Sequence, residues 1–366
     1  MTRKLKVGVI GAGIIAQVMH LHFLRELSNC YEIYGICDIS PENGRNNAEA
    51  YGVTKVFTDW EELLKEPIDA VFILTSGTHA PIAIAAAKAG KHVLVEKPMC
   101  FSVAEGREMN KAANEAGVVL MVAYPKRYDP AFIRFKEEVA TIKDIRLFRV
   151  TTFEAPFLPY VKHYPLTPVT TPPSDTLEKW KAQTKSSIET AIGTDDPFLG
   201  KIYHLVLLDT LVHELNTTRA ILGEPELLDY VDFKESGLNA LFKFSGVPVA
   251  INWIDLPGFT KYGMEFSAYG PDKRATLIFP SPFLRNAPTI LEIEAGEVGS
   301  PRSWKTEELT SFESAFKNEL KVFYENVTER KKPLTTAEDA MRDLAICESI
   351  IRCYQTRNPI SNPSAI

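Results

Sequence analysis

A carboxylate and an imidazole lie four residues apart, as Asp209 and His213, in the apolar segment from Ile202 to Leu222. Side chains at this spacing are neighbours on one face of a helix, and a carboxylate on a largely buried helix is costly unless it is paired. The spacing therefore predicts that Asp209 bonds one ring nitrogen of His213 and leaves the other free as a base near neutral pH. An Asp–His pair without a catalytic role is the alternative.

A lysine that could assist the same chemistry lies in Glu96-Lys97-Pro98, directly after the apolar run Val93 to Val95. In an open parallel sheet, ligands lie outside the carboxyl ends of the strands, so Glu96 and Lys97 would emerge beside them. A lysine there could donate to a reacting oxygen and stabilise an alkoxide as hydride leaves its carbon. A surface cation is the alternative.

A glycine-rich turn, Gly11-x-Gly13-x-x-Ala16, follows the run Leu5 to Ile10 and opens a predicted helix. Gly11 permits the tight turn, Gly13 lets the backbone approach a pyrophosphate, and Ala16 is small enough for close helix packing. The pattern in this context predicts a dinucleotide site, with an ordinary glycine-rich turn as the alternative.

An acid that could select the cofactor, Asp38, ends the second predicted strand. A carboxylate there accepts hydrogen bonds from the ribose hydroxyls and repels a 2′-phosphate, so it predicts NAD. NADP is the less favoured alternative, because the nearby Arg45 could still reach a 2′-phosphate.

The elements that must position these residues alternate in type over the first third of the chain. Apolar runs are separated by helical segments with capping signals, such as Ser102-x-x-Glu105 at a start and Gly117 at an end. Strands that are apolar throughout are typical of a parallel sheet covered by helices, so an α/β, doubly wound fold is predicted. The predicted strands are Leu5 to Ile10, Tyr31 to Cys37, Ala70 to Thr75, His92 to Glu96 and Val118 to Ala123.

The chain changes character after residue 123. Later strands are joined by turns such as Ser245-Gly246, which predicts a large, mostly antiparallel sheet. Two amphipathic helices close the chain, the second starting at Thr335-x-x-Glu338. We therefore predict a nucleotide-binding domain over 1–123 and an α+β domain over 124–366. The predicted strands of the second part are Ile145 to Phe153, Leu227 to Lys234, Asn239 to Ser245, Val247 to Ile254, Tyr262 to Tyr269, Ala275 to Phe279 and Ile290 to Glu294.

A proline-rich stretch at about 155–200 reads as an irregular insertion in the second domain. Aromatic residues in it, among them Tyr160, Tyr164 and Trp180, suit stacking on a sugar face, which predicts a place beside the substrate. Packing on a neighbouring subunit is the alternative.

These motifs together resemble the glucose-fructose oxidoreductase, inositol dehydrogenase and MocA family, written Gfo/Idh/MocA, over nearly the whole chain. The resemblance implies a Rossmann domain plus an antiparallel-sheet domain, and NAD(P)-dependent oxidation or reduction of a sugar, cyclitol or similar polyol. Besides the glycine-rich turn, it rests on His79, on Ala89-Gly90-Lys91-His92-Val93 leading into Glu96-Lys97-Pro98, on Arg127-Tyr128-Asp129-Pro130, and on Asp209-x-x-x-His213 followed by Arg219 and Gly223-Glu224-Pro225.

The resemblance also implies the residues of the site. The catalytic set is Lys97, Asp209 and His213. The predicted cofactor-binding residues are Gly11, Gly13, Ile14, Ile15, Asp38, Thr75, His79, Glu96 and Lys97. The predicted substrate-binding residues are Lys97, Arg127, Tyr203, Asp209 and His213. The chain departs from the family near its Asp-x-x-x-His motif, with Tyr203-His204 and Leu211 in place of glycines and Asn216 in place of a frequent Asp.

We therefore expect an NAD-dependent dehydrogenase that acts on a secondary alcohol of a cyclic polyol or sugar. One alternative is a glycosidase that uses retained NAD for transient oxidation. Another is a non-catalytic sugar or NAD sensor on the same fold.

Composition excludes several other classes. The net charge is −6, and neither part of the chain is basic, so neither nucleic acid nor an anionic membrane is an expected partner. The longest stretches without charge contain polar residues, so no membrane span is predicted. No metal-binding spacing such as His-Glu-x-x-His occurs. The five scattered cysteines favour a reducing compartment, the cytoplasm.

Oligomerisation is predicted from the strands of the second sheet. Alternate residues of a strand point to opposite faces of a sheet, and bulky apolar residues occur at both odd and even positions of three segments. Both faces of the sheet should therefore be apolar. The segments are Leu241 to Phe244, Ile251 to Ile254 and Tyr262 to Phe266. A second copy covering the exposed face would make a homodimer or homotetramer. Cover by helices of the same chain is the alternative.

Overall fold

The computed structural model describes residues 3–366, and its first part is a parallel sheet of six strands in the order β3-β2-β1-β4-β5-β6. This confirms the predicted fold class. The short β3 is the one strand of this sheet that the sequence pattern did not reveal. The strands are β1 (Leu5–Ile10), β2 (Tyr31–Cys37), β3 (Val56–Phe57), β4 (Ala70–Ile73), β5 (His92–Glu96) and β6 (Leu120–Ala123).

The connections of this sheet are helical, and their ends follow the capping signals. The Ser102 side chain accepts from the Glu105 backbone N–H at one helix start, and Gly117 adopts φ 64° at the end of the same helix. A π-helical turn, Ala16–His20, follows the glycine-rich turn. The α-helices of this part are α1 (Leu21–Glu26), α2 (Pro41–Tyr51), α3 (Trp60–Leu64), α4 (Ala80–Lys88) and α5 (Val103–Ala116).

The second part is built on nine strands in the order β14-β13-β12-β11-β7-β10-β9-β8-β15. All pairs are antiparallel except β7 with β10, which confirms the prediction of a large, mostly antiparallel sheet. The sequence pattern missed the last two strands. The strands are β7 (Leu147–Glu154), β8 (Pro225–Lys234), β9 (Gly237–Phe244), β10 (Val247–Asp255), β11 (Gly263–Tyr269), β12 (Lys273–Phe279), β13 (Ile290–Gly296), β14 (Ser303–Leu309) and β15 (Ile360–Ser361).

The helices of the second part correct two details of the sequence prediction. The stretch predicted as irregular contains the helix Ser174–Ile192. The last helix is capped by Thr336, one residue after the predicted start. Two further segments are a 3-10 helix, Pro125–Tyr128, and a π-helical segment, Ile202–Leu211. The α-helices are α6 (Pro130–Ala140), α7 (Leu158–Val161), α8 (Ser174–Ile192), α9 (Pro197–Lys201), α10 (Val212–Leu222), α11 (Ala315–Glu329) and α12 (Ala337–Thr356). Within residues 3–366, no helix combines the length and apolarity that a membrane crossing requires.

Helix α11 returns from the second sheet to the first. Its residues Leu320 and Phe323 are fully buried in the core of the first sheet, and the Phe323 ring meets Phe72 of β4 edge to face at 5.4 Å. We propose that the domain division falls after residue 123, where β6 ends. Helix α11, although it comes late in the chain, then packs across that division.

The outer face of the second sheet is mixed, which corrects the expectation that both faces are apolar. On β9, Phe242 and Phe244 face the core, while Asn239, Leu241 and Lys243 are exposed. The strict alternation arises because consecutive side chains of a strand point to opposite faces. On the outer face of β9, the apolar Leu241 therefore lies between the polar residues Asn239 and Lys243.

Candidate active site

The glycine-rich turn has the shape that a dinucleotide phosphate requires. Gly11 adopts φ 93°, and a Cβ there would lie 2.7 Å from the Thr75 backbone nitrogen, so only glycine fits. A Cβ on Gly13 would meet nothing within 4 Å, which leaves open space above the turn. Ile14 and Ile15 are half-buried and pack against the core of the first sheet.

Asp38 lies beside this turn at the end of β2. Its Oδ2 accepts from the Ala12 backbone N–H at 2.9 Å and from Asn43 Nδ2 at 2.7 Å, and its Oδ1 accepts from the Ser40 backbone N–H at 2.9 Å. These bonds fix the carboxylate at the rim of the open space. The structure thus brings Asp38 and the turn together, as predicted.

The end of β4 adds polar atoms to the same edge of the sheet. The hydroxyls of Thr75 and Thr78 are buried and have no hydrogen-bond partner among the described residues, which suits a site that binds a polar ligand. His79 has both ring nitrogens within 2.8 Å of backbone carbonyls, those of Thr75 and Pro98. His79 therefore holds the turn in place, and its predicted contact with a cofactor stays a prediction.

Glu96 is directed inward from the end of β5. Its Oε1 lies 2.7 Å from His20 Nε2, and its Oε2 accepts from the Lys97 backbone N–H at 3.0 Å. Burial opposes ionisation of Glu96, but His20 and Lys97 outweigh it and lower its pKa. The His20 contact is one that the sequence analysis missed, since a lone histidine on an apolar helix gives no signal of its partner.

Lys97 forms an ion pair with Asp209. Its ammonium donates to Asp209 Oδ1 at 2.7 Å and to the Asp209 carbonyl at 2.6 Å. Burial disfavours the charged form of Lys97, but the Asp209 carboxylate outweighs it and the pKa is raised, while Lys97 lowers the pKa of Asp209. An ammonium has three donors, so one N–H remains for a ligand.

His213 does not pair with Asp209, which corrects the predicted hydrogen bond. The Asp209 carboxylate is committed to Lys97, and the His213 ring instead meets Tyr124 edge to face at 5.9 Å. The cause is local winding, because the chain is π-helical through Leu211 and becomes α-helical only at Val212. Bonds of the i to i+5 type change the winding, so the i, i+4 rule of the α-helix does not hold across this junction.

The electrostatic setting keeps His213 neutral. Burial, followed by the positive charges of Lys126 and Lys97, lowers its pKa well below the ordinary value. Its Nδ1 is buried and has no hydrogen-bond partner within residues 3–366. A neutral imidazole at neutral pH is the form that can accept a proton.

Arg127 is buried and bonded to two neighbouring helices, and its predicted role in substrate binding stays a prediction. Its guanidinium donates to Asn216 Oδ1 at 3.0 Å and to Asp339 Oδ2 at 3.3 Å, between α10 and α12. The preceding residue, Lys126, lines an 80 Å³ cavity together with His213. A 3-10 helix turns about one third of a circle per residue, so neighbours in Pro125–Tyr128 point in different directions.

Lys126 and Glu214 form a second charged group that sequence reasoning missed. Burial is the main cause that lowers the pKa of Lys126 to about 8 and raises that of Glu214 to about 7. Thr152 of β7 donates to Glu214 Oε1 at 2.5 Å, while Glu214 Oε2 is buried and lacks a partner in the described chain. The sequence does contain a signal for this group, because the charged Glu214 directly follows His213 in an otherwise apolar helical segment.

Tyr203 lies in the core, and its predicted role in substrate binding stays a prediction. Its side chain is fully buried, and its hydroxyl donates to the Phe101 carbonyl at 2.7 Å. The pKa of the neighbouring residue, His204, is lowered by burial, and the negative charge of Asp209 opposes this shift only in part.

The site therefore combines a glycine-rich turn with Asp38 beside it, and an ion pair of Lys97 and Asp209 close to the neutral His213. Comparison with known proteins agrees with this arrangement. Residues 5–124 match the model of a family described as an oxidoreductase family with an NAD-binding Rossmann fold. The chain is thus an NAD(P)-dependent oxidoreductase. Its nucleotide-binding part, residues 5–124, matches the Gfo/Idh/MocA family, which confirms the resemblance that the motifs predicted.

Relatives match either most of the chain or only part of it. Myo-inositol 2-dehydrogenase of Thermotoga maritima is 26% identical over 93% of this chain and 94% of its own length. The 1,5-anhydro-D-fructose reductase of Ensifer adhaerens is 35% identical over 42% of this chain and 46% of its own length. Among solved structures, levoglucosan dehydrogenase with NADH and levoglucosan matches with a TM-score of 0.76 at 20% identity, over 99% of this chain and all of that one. The last likeness shows the fold alone.

Proposed function

We propose that the protein transfers a hydride between a secondary alcohol of a sugar, cyclitol or related cyclic polyol and NAD. The observation that carries this proposal is the Lys97–Asp209 pair at the carboxyl end of β5, with one ammonium N–H left over. The names of the curated relatives, a myo-inositol 2-dehydrogenase and a 1,5-anhydro-D-fructose reductase, support a cyclic polyol as the substrate class.

The residues of the first sheet fit a nicotinamide dinucleotide. Gly11 and Gly13 would receive the pyrophosphate, and Asp38 would accept from the ribose hydroxyls. When bound, such a cofactor supplies hydride transfer. Thr75 and Thr78, whose buried hydroxyls lack partners among the described residues, would form the wall at the end of β4.

The chain's own side chains manage the proton and the oxygen. His213 is neutral and takes the proton of the substrate hydroxyl. Lys97, held by Asp209 in its charged form, donates to the oxygen as negative charge develops there. In the reverse direction the same groups polarise a carbonyl and return the proton. We assign Arg127 and Tyr203 no proton-transfer role, because Arg127 donates to Asn216 and the Tyr203 hydroxyl donates to the Phe101 carbonyl.

A panel of sugars and cyclitols, assayed for NADH formation with NADP in parallel, tests the proposal. We expect at least one cyclic polyol to reduce NAD. No reduction of either cofactor by any member of the panel would contradict the proposal and leave the glycosidase and the sensor as the alternatives.

Selectivity for NAD is a separate prediction that rests on Asp38. Replacing Asp38 by alanine removes the charge that opposes a 2′-phosphate, so the ratio of kcat/KM for NAD to that for NADP should fall by about tenfold or more. Glu42, an exposed acid in the first turn of α2, provides the control as Glu42→Ala. Higher kcat/KM with NADP than with NAD in the unaltered protein would contradict the assignment.

Self-association through the second sheet is a further prediction. Leu241 and Tyr230 are 45% and 48% exposed on the outer strands, and Phe153 of β7 is 38% exposed. We expect light scattering at micromolar concentration to give a dimer or tetramer of the 40.9 kDa chain, and Leu241→Asp to shift it toward monomer. Leu334→Asp makes the same change at an exposed leucine outside the second sheet and is the control. A monomer mass for the unaltered protein would rule the interface out.

The cysteines support a cytoplasmic location. All five are free, and four of them are buried. Unpaired buried thiols are typical of proteins kept in a reducing compartment.

A further inference from the structure

Residues 164–180, termed the strap below, comprise a loop and the first two turns of α8. The strap crosses the edge of the first sheet at which its strands have their carboxyl ends. The strap is part of the stretch at about 155–200 that the sequence predicts beside the substrate. Its hydrogen bonds reach segments that follow β1, β2 and β4, and these three strands are neighbours in the sheet. The strap therefore runs along the edge at which a Rossmann sheet binds its dinucleotide.

The first anchor joins the strap to the glycine-rich turn. Gln17 Oε1 accepts from the Thr167 backbone N–H at 2.9 Å and from its hydroxyl at 3.1 Å. The amide nitrogen of Gln17 donates back to the Thr167 carbonyl at 3.3 Å and to the Ala12 carbonyl at 3.2 Å. Gln17 is only 2% exposed, so one buried amide ties the strap to the backbone between Gly11 and Gly13.

The second anchor lies beside the ribose position. The hydroxyls of Ser40 and Thr170 are hydrogen-bonded to each other, and the Ser40 backbone N–H also donates to Asp38. The strap is thus joined to the turn that carries the cofactor-selecting acid.

The third anchor lies at the end of β4. Trp180 donates from Nε1 to the Ser76 carbonyl at 3.1 Å, and its ring covers Gly77 so closely that a Cβ there would lie 2.6 Å from Trp180 Cε2. Gly77 adopts φ 91°, so both its backbone and the indole exclude a larger residue. The indole closes this end of the strap.

The base of the strap is also fixed. The Arg285 guanidinium lies 4.1 Å from the centroid of the Tyr164 ring, and its Nε donates to the Val18 carbonyl at 2.7 Å, in the turn that follows Ala16. Tyr164 in turn donates to the Phe283 carbonyl at 2.9 Å. Both ends of the strap are therefore held, one by Tyr164 and the other by Trp180.

We propose that the strap is the outer wall of the dinucleotide site, so that the cofactor lies between the strap and the carboxyl edge of the first sheet and leaves only when the strap opens. This inference rests on the proposed function only in requiring that the protein binds NAD(H). It assigns to residues 164–180 the control of cofactor exchange, a role separate from the reaction at Lys97 and His213.

A reversible cross-link tests the proposal directly. Ser40 and Thr170 are in side-chain contact, so Ser40→Cys with Thr170→Cys places two thiols where a disulfide can form. The double variant is loaded with NADH in its reduced form and then oxidised, and mass analysis verifies the cross-link. Release of NADH is followed by its fluorescence after mixing with excess NAD. We expect release from the oxidised form to be slower than from the reduced form by about tenfold or more. Equal release rates for the two forms would overturn the proposal.

A loosened strap gives an independent readout if the disulfide does not form. Thr170→Val removes the hydroxyl bond to Ser40, and NADH release should become about threefold to tenfold faster, as expected for the loss of one hydrogen bond. Thr171→Val is the matched control, since Thr171 is the exposed neighbour of the same type. Release that is unchanged in Thr170→Val, or equally fast in both variants, contradicts the strap's role. If the unaltered protein binds no NADH or NADPH at all, the proposed function itself fails.

Discussion

Replacement of Lys97 by methionine is expected to abolish turnover while NADH still binds. Methionine keeps much of the side-chain volume but removes the ammonium that donates to the reacting oxygen. Loss of one such donor costs about 10²- to 10³-fold in kcat, and loss of a full charge should cost at least as much. The measurement pairs steady-state kcat with NADH binding by fluorescence, because only the chemical step should suffer.

Lys88→Met is the control for this variant. Lys88 lies in the last turn of the neighbouring helix α4 and is exposed, so its loss should leave kcat unchanged. An unaltered rate in Lys97→Met would remove Lys97 from the mechanism. Loss of NADH binding together with activity would instead assign Lys97 to the cofactor.

Replacement of His213 by alanine should lower kcat by about 10²-fold or more, the usual contribution of a general base. The pH profile carries the sharper test. Burial and the charges of Lys126 and Lys97 lower the pKa of His213 well below 6.5, so the ring is neutral at neutral pH and protonates only on acidification. The rate of the unaltered enzyme should therefore fall only at a pH below 6.5, the ordinary pKa of histidine. This acid limb of the pH profile should vanish in His213→Ala.

His22→Ala serves as the matched histidine control. His22 lies on α1 and pairs with Glu26 at 3.1 Å, so its replacement should keep both the rate and the acid limb. Persistence of the acid limb in His213→Ala would place the base elsewhere, with His204 as the next residue to replace because it lies within the field of Asp209 and Lys97.

The elements of the first sheet were predictable because each carries its own local signal. Apolar runs bounded by capping residues located β1, β2 and β5 at their observed ends, and the observed cap at Ser102 follows its predicted pattern. The two-residue β3 was missed because so short a strand has no pattern. Helix α8 was missed because the surrounding prolines masked a helix that begins at Ser174.

The site was predictable where function depends on position along a strand and less so where it depends on winding. Lys97 and Asp38 follow directly from the ends of β5 and β2, and the structure places them at one edge. The family motif points to Arg127, whereas it is the adjacent Lys126 that lines the cavity beside His213, because residue type does not reveal how a 3-10 turn orients neighbouring side chains. The predicted hydrogen bond between Asp209 and His213 was wrong for a similar reason, because residue spacing does not reveal that the segment Ile202–Leu211 is π-helical.

The most direct test of the central claim is the fate of the substrate's carbinol hydrogen. The protein is mixed with NAD and an active cyclic polyol that carries deuterium on its secondary carbons, and the dihydronicotinamide is isolated and analysed by mass. Direct hydride transfer predicts one deuterium in the reduced cofactor and a ketone in the product, with both lost in Lys97→Met. Reduced cofactor without deuterium would contradict direct hydride transfer. Cleavage of a glycoside supplied in place of the polyol, with no net reduced cofactor, would favour transient oxidation instead.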